Sequence, residues 1–263
     1  MSPLLSARLQ KILEALSDRD RQILQLIARF RLMSGSQIQT LMFESGQYRT
    51  CRRVLTRLES LDVIATLDRR IGGVRAGSVG YVYRLASNGF RILTELDQAV
   101  TFRLPRASEP SLRNVEHTLA VGDVFVALKR LHSDDYFSLR AFDSEPASWR
   151  PYVAILGGPR TLKPDAFVRA AKGEWEYMWF VEVDRSTESI ATLRRKLDQY
   201  VEFWRTGQQQ ASEGAFPMVA WLTNTERQAT RLAELIDRLP PEHRRLFRVG
   251  QTGREEVLFV AEG

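Results

Sequence analysis

Residues 48–61, YRTCRRVLTRLESL, decide how the first half of the chain is read. Cys51, Val54, Leu55, Leu58 and Leu61 recur at three- and four-residue spacing, the period of one apolar helix face. Arg49, Arg52, Arg53 and Arg57 occupy the other sides of that helix, with Tyr48 and Thr50 near its start. The stretch predicts a helix that packs on a small core and offers guanidinium groups to something anionic. A merely solvated charged face has the same pattern, so the sequence on either side has to decide.

Upstream, Ser17-Asp18-Arg19-Asp20 supplies capping side chains before Ile23, Leu24, Leu26, Ile27 and Phe30, which predicts a helix over 18–31. Met33-Ser34-Gly35-Ser36 breaks it, and a short second helix follows from Gln37 to Phe43. Glu44-Ser45-Gly46 turns the chain into the arginine-bearing helix, 47–61. Downstream the period falls to two. Val63–Leu67 and Gly80–Leu85 read as strands, and DRRIGGVRAGS between them suits a hairpin tip carrying Arg69, Arg70 and Arg75. Ser87-Asn88-Gly89 opens a fourth helix that runs to about Leu96. Two helices on a short glycine-containing turn, braced by a first and followed by a hairpin, resemble a winged helix-turn-helix domain. That resemblance implies duplex DNA as partner, with Tyr48, Arg49, Thr50, Arg52, Arg53 and Arg57 in the major groove and the hairpin arginines on the backbone or minor groove.

Charge is distributed to match. Residues 1–113 carry 18 Lys and Arg against 10 Asp and Glu, a balance of +8, while the remainder carries 20 against 22. A basic domain joined to a nearly neutral one is the distribution of a nucleic-acid-binding protein. Composition is otherwise that of a globular chain of two domains, 44% hydrophobic and 27% charged over 263 residues. No apolar run is long enough to span a membrane, and MSPLLSARLQKI lacks a signal-peptide pattern, so a soluble, cytoplasmic protein is expected. The single cysteine, Cys51, excludes an internal disulfide and reads as a core thiol, and the three histidines form no ligand cluster. His117, at a helix start, reads as a packed histidine before it reads as a base.

Residues 98–111 lose periodicity and hold Pro105 and Pro110, so the domains are expected at 1–98 and 112–263 with a linker over 99–111. Leu112 to Leu131 predicts a helix. Strands are expected at Tyr136–Arg140, Ala166–Arg169 and Trp175–Val183, with a loop rich in Gly157, Gly158 and Pro159 leading to the second. The last is the most hydrophobic stretch of the chain and so a central strand. Helix over Ile190–Trp204, strand over Pro217–Thr223, helix over Glu226–Leu239 and a closing strand pair, Leu246–Val249 with Val257–Val260, complete an α/β domain with a mixed sheet.

Two motifs in that order bear chemistry: Lys163-Pro164-Asp165-Ala166 at the mouth of one strand and Glu182-Val183-Asp184 at the end of the next. Carboxylates on neighbouring strands can share a divalent metal. With Glu116 from the preceding helix, the arrangement resembles the PD-(D/E)XK nuclease core, of αβββαβ topology. The resemblance implies Asp165 and Glu182 as ligands of Mg2+ or Mn2+, with Glu116 and Asp184 in support, for hydrolysis or nicking of a phosphodiester. Asp184 stands where that core places a lysine, and Lys196, Arg194 or Arg195 on the next helix can take its place. Asp184-Arg185 with Thr187 and Glu188 has an equally good structural use, capping the helix that starts near Ser189. The phrases RNVEHTLAVGDVFVAL, LKPDAFV and WFVEVDRSTESIATLRRKLDQYVEF behind the arginine helix together resemble the replication-relaxation family, over about Leu16 to Val260. This implies an accessory role in replication, relaxation or mobilisation of plasmids or other mobile DNA, alongside a relaxase or replication initiator. Two alternatives stay open: a winged-helix transcriptional regulator whose second domain serves dimerisation or docking, and an active metal-dependent nickase.

Overall fold

The computed structural model describes residues 7–70, 80–96, 111–132, 136–185 and 188–260, with the side chains of 68–70 left aside. It is a mixed α+β protein that divides into two compact units, Met1–Val126 and Ala127–Gly263.

In the first unit α1 (Ala7–Ala15) and α2 (Asp18–Phe30) precede the two-residue strand β1 (Met33–Ser34), α3 (Gly35–Met42) and α4 (Tyr48–Ser60). Then come β2 (Ile64–Arg70), β3 (Tyr81–Leu85) and α5 (Ser87–Leu96). Capping boxes start two of the helices. Ser17 Oγ accepts from the Asp20 backbone while Ser17 N donates to Asp20 at 2.9 Å, and Ser34 and Gln37 make the same exchange ahead of α3. On α4, Cys51, Val54, Leu55 and Leu58 are buried, as the heptad-like spacing requires. Burial pushes the Cys51 thiol up to about 11, with Arg19 pulling the other way. The sheet order is β1-β3-β2, all antiparallel, so β1 adds a third strand that the sequence reading missed. Gly89 at the start of α5 lies so close to the α4–β2 turn that a Cβ there would run into the Val63 carbonyl oxygen.

Helix α6 (Leu112–Leu131) matches its expected span, and the division between the units falls inside it, later than the 99–111 linker read from the sequence, most of which lies outside the described residues. Its first half is built into the first unit. Val115 and Leu119 join Leu32, Leu67 and Val82, and Phe125 packs on Phe30 at 5.0 Å. Gln37, besides its capping duty, donates to the Leu119 carbonyl and to Asp123, each at 2.7 Å. Gly122 leaves room for that amide, since a Cβ would sit 2.9 Å from it.

The second unit contains β4 (Phe137–Ser144), β5 (Arg150–Val153), β6 (Pro159–Leu162), β7 (Ala166–Lys172) and β8 (Trp175–Asp184). After these come α7 (Ile190–Arg205), α8 (Gln208–Glu213), β9 (Met218–Thr223), α9 (Glu226–Asp237), α10 (Pro241–Arg244), β10 (Phe247–Gln251) and α11 (Glu255–Phe259). Five strands form one mixed sheet in the order β10-β9-β8-β7-β4. Strands β8, β9 and β10 are parallel, and β7 runs antiparallel to both β8 and β4. The apolar stretch Trp175–Asp184 is the middle strand, as its composition predicts. Over it lies α7, whose Leu193, Leu197, Tyr200, Val201 and Phe203 enter a core with Phe167, Phe180, Val219 and Trp221.

Two expectations are corrected. The segment 257–260 is not a closing strand: Val257–Phe259 belong to α11 and Val260 is its C-cap, and the helix turns Phe259 onto Trp179 at 5.1 Å. The glycine-rich stretch before Asp165 is not only a loop: β5 and β6 pair into a separate two-stranded hairpin.

Candidate functional site

In the first unit α4 sorts its side chains by face. Arg49, Arg52 and Arg53 are exposed, as is Tyr48, and Thr50 is half-buried. Among the described residues these three arginines pair with no carboxylate. Arg57 behaves differently. Its Nη2 lies 2.6 Å from Oδ2 of Asp20, which is 1% exposed, so this arginine ties α4 to α2. Burial opposes charge on Asp20, but the hydrogen bonds from Arg57 and Ser17 outweigh it and hold the carboxyl below its ordinary value. Arg75 lies outside the described residues, as does the tip of the hairpin, and the side chains of Arg69 and Arg70 are not described.

In the second unit the sheet brings two of the expected carboxylates together. Ala166 of β7 pairs with Val181 of β8, so Asp165 and Glu182 stand level on adjacent strands, at the carboxyl end of the central strand. Asp165 Oδ2 accepts from the Val183 N–H at 2.7 Å. Alternation along β8 puts Phe180, Glu182 and Asp184 on the face covered by α7. Glu182 is 2% exposed, and both of its oxygens are engaged from that helix: Lys196 Nζ donates to Oε2 at 2.8 Å and Tyr200 Oη to Oε1 at 2.6 Å. Lys196 and Tyr200 are four residues apart, hence stacked on one helix face.

Of the three cations proposed to replace the lysine that Asp184 displaces, Lys196 alone turns inward; Arg194 and Arg195 are exposed. The same ammonium lies 2.9 Å from Glu188, so it bridges two carboxylates. Ser189 caps α7, accepting from Thr192 N at 3.1 Å, and Asp184 is the last residue of β8; Thr187 lies outside the described residues. Spacing alone makes Tyr200 a packing aromatic of α7. Only its position one turn after Lys196 could have suggested a polar role.

Burial raises the Glu182 carboxyl to about 7; Asp165 adds to the rise, while Lys196 and the Tyr200 hydrogen bond oppose it. Desolvation works against the Lys196 ammonium, yet Glu182, Asp165 and Glu188 overcome it and keep the group charged. Tyr200 is raised by the same burial and by the adjacent carboxylates, so it stays a phenol donor. Asp165, Glu182 and Asp184 are all buried. Among the described residues no group of three His, Cys, Asp or Glu is arranged to hold a metal ion. Asp165 and Glu182 are thus the pair that could hold Mg2+ or Mn2+, ions that bind through one or two carboxylates and keep their waters. Glu116 is half-buried in the other unit.

A model of the replication-relaxation family matches residues 24–219, from within α2 to the start of β9. The chain belongs to the replication-relaxation family. Membership points to a role in replication or relaxation, and the matched span takes in the α4 arginines and the Glu182 site alike. No curated protein matches this replication-relaxation chain. Among solved structures it is similar to restriction endonuclease FokI at 13% identity, with a TM-score of 0.24 over 87% of this chain. It spans 40% of that enzyme's length, and so loose a superposition carries no argument. No helix among the described residues is long and apolar enough to cross a membrane.

Proposed function

We propose that this protein is a DNA-binding accessory factor of plasmid or mobile-element replication, relaxation or mobilisation. In this reading the first unit acts as a winged helix-turn-helix domain. Helix α4 enters the major groove with Arg49, Arg52 and Arg53, and the β2–β3 hairpin, with Arg69, Arg70 and Arg75, is the wing. The observation that carries it is the exposed set Arg49, Arg52 and Arg53 on α4, which pair with no carboxylate among the described residues and are backed by a buried apolar face. Arginine contacts of this kind go first to phosphate, with base readout by bidentate pairing to guanine. A relaxase or replication initiator, and a second copy of this chain, are the partners such a factor would work with.

A second reading, metal-dependent nicking by a PD-(D/E)XK-like second unit, is favoured by one contact: Lys196 occupies the Glu182 carboxylate that the lysine of such a core would serve. A bound Mg2+ or Mn2+ would polarise a phosphodiester and acidify an attacking water. Lys196 orients Glu182 and supplies positive charge beside it, and Tyr200 fixes the second carboxylate oxygen.

Both readings meet in a supercoiled-plasmid gel run in EDTA, Mg2+ or Mn2+, with half of each sample deproteinised. Retarded plasmid that returns to the supercoiled position is the result expected of an accessory factor. Open-circle product that needs metal and disappears in Asp165→Ala and Glu182→Ala establishes nicking. The triple change of Arg49, Arg52 and Arg53 to Ala should abolish retardation, and unchanged affinity would sink the α4 assignment.

A further inference from the structure

The β5–β6 hairpin ends in an apolar point. Val153 is 59% exposed, Ile155 58% and Leu156, at the apex, 99%. An aliphatic side chain left fully in water forgoes about 1.5–3 kcal/mol of burial, so its place at the end of a protrusion asks for a partner. The protrusion is held firmly. Tyr152 Oη and Arg160 Nη1 each donate to Glu202 of α7 at 2.8 Å, and Gln199 donates to the Thr161 carbonyl at 3.1 Å. Gln208 clasps the Val153 backbone on both sides, donating to its carbonyl at 3.0 Å and accepting from its N–H at 3.3 Å. Behind the apex, Gly157 and Gly158 have φ of 89° and 91°, a conformation that keeps Leu156 pointing outward at little strain.

Three features name the occupant. From Trp149 to Pro164 the chain carries Arg150, Arg160 and Lys163 and no acidic residue; Arg160 is paired with Glu202 and Arg150 lies over the Phe167 ring, which leaves Lys163 as the cation beside the hairpin. The ammonium of Lys163 rests on the Trp149 ring, 4.5 Å from its centroid. Strand β6 leads directly to Asp165, nine residues beyond Leu156. At about 3.3 Å per residue the apex lies within about 30 Å of that carboxylate, less than the ~34 Å of one duplex turn.

We propose that the hairpin is a DNA wedge. Ile155 and Leu156 enter the minor groove and part a base step of the duplex served by the Asp165–Glu182 site, while Lys163 meets the flanking phosphate. Aliphatic wedges of this kind unstack and unwind duplex DNA. The inference rests on the DNA-binding reading above and adds a distortion that α4 alone does not produce.

The test uses the full chain and plasmid DNA relaxed by a metal-independent type IB topoisomerase in EDTA, so that nicking cannot intervene. A wedge unwinds the bound duplex, and after deproteinisation the plasmid keeps a shifted topoisomer distribution. The double variant Ile155→Ser, Leu156→Ser should lose that shift and bind about 5–10-fold more weakly in a gel titration. Both substitutions are at solvent-exposed positions, and an unchanged thermal melt confirms the fold. Wild-type protein that binds no DNA overturns the functional reading itself. A variant that binds and shifts topoisomers like wild type overturns the wedge alone. So does tip-dependent binding to vesicles of equal phosphatidylglycerol and phosphatidylcholine, or tip-dependent dimerisation, with DNA topology unaffected by the variant.

Discussion

At Glu182, burial and Asp165 favour the neutral acid, while Lys196 and Tyr200 favour the anion. The carboxyl rises from 4.5 to about 7 on folding, so between those values the folded state holds the proton more tightly than the unfolded chain. Its contribution to stability is therefore present below pH 4.5 and is lost as pH rises through about 7. Lys196 is raised as well, but its contribution fades only far above neutrality, outside this window. Urea midpoints measured from pH 4.5 to 8 should accordingly fall less in Glu182→Gln than in wild type, and parallel curves would refute the assignment. Removing the cation has a different signature. Lys196→Met strands Glu182 beside Asp165, which should cost about 2 kcal/mol after discounting for the partial exposure of the lysine. The same buried carboxylate gives any Mg2+ or Mn2+ uptake a proton release, so metal affinity should climb as pH rises through about 7.

Between elements, the α2–α4 brace converts an arginine that looked like a DNA contact into structure. Arg57 belongs by spacing to the basic face, yet its guanidinium is spent on a buried Asp20 that also caps α2. Ser17→Ala should cost about 1 kcal/mol as a lost cap. Arg57→Ala should cost about 2 kcal/mol, because it leaves a buried carboxylate with one fewer donor. Chemical denaturation checks both, and a DNA titration of folded Arg57→Ala should stay within about threefold of wild type. Sequence periodicity could place Arg57 on the helix but could not see Asp20, 37 residues away. Elsewhere the pattern was legible where elements are long. Helices α2, α4, α6 and α7 and the central strand β8 stand close to where spacing put them. Short apolar runs were ambiguous: Val257–Val260 has the composition of a strand, and only the packing of Phe259 on Trp179 makes α11 a helix turn. Pro151 and Pro159 hid the β5–β6 hairpin, since prolines argue against strands except in edge positions such as these.

For the whole molecule, the charge asymmetry of the sequence has a measurable counterpart. If Arg49, Arg52 and Arg53 each neutralise a phosphate, the slope of log K against log salt should flatten by about 2.7 in the triple alanine variant. A slope unchanged by the substitutions would move the contact surface elsewhere, to the hairpin arginines or the second unit. The sequence located the carboxylate pair because both residues sit at strand ends, where alternation and element order fix their face. It left open which of three cations on α7 would serve them, because helix rotation relative to a sheet depends on the whole core. Leu193, Leu197 and Phe203 set that rotation, and Lys196 and Tyr200 follow from it.

The chain's one cysteine lies on the buried face of α4, its thiol held near 11. A thiol so placed is chemically silent until the helix lifts from its bed. Alkylation of Cys51 therefore acts as a clock for that opening, read by mass spectrometry without any label. Duplex DNA gripped by α4 should slow the clock, and DNA held by the second unit alone should leave it running at the same rate.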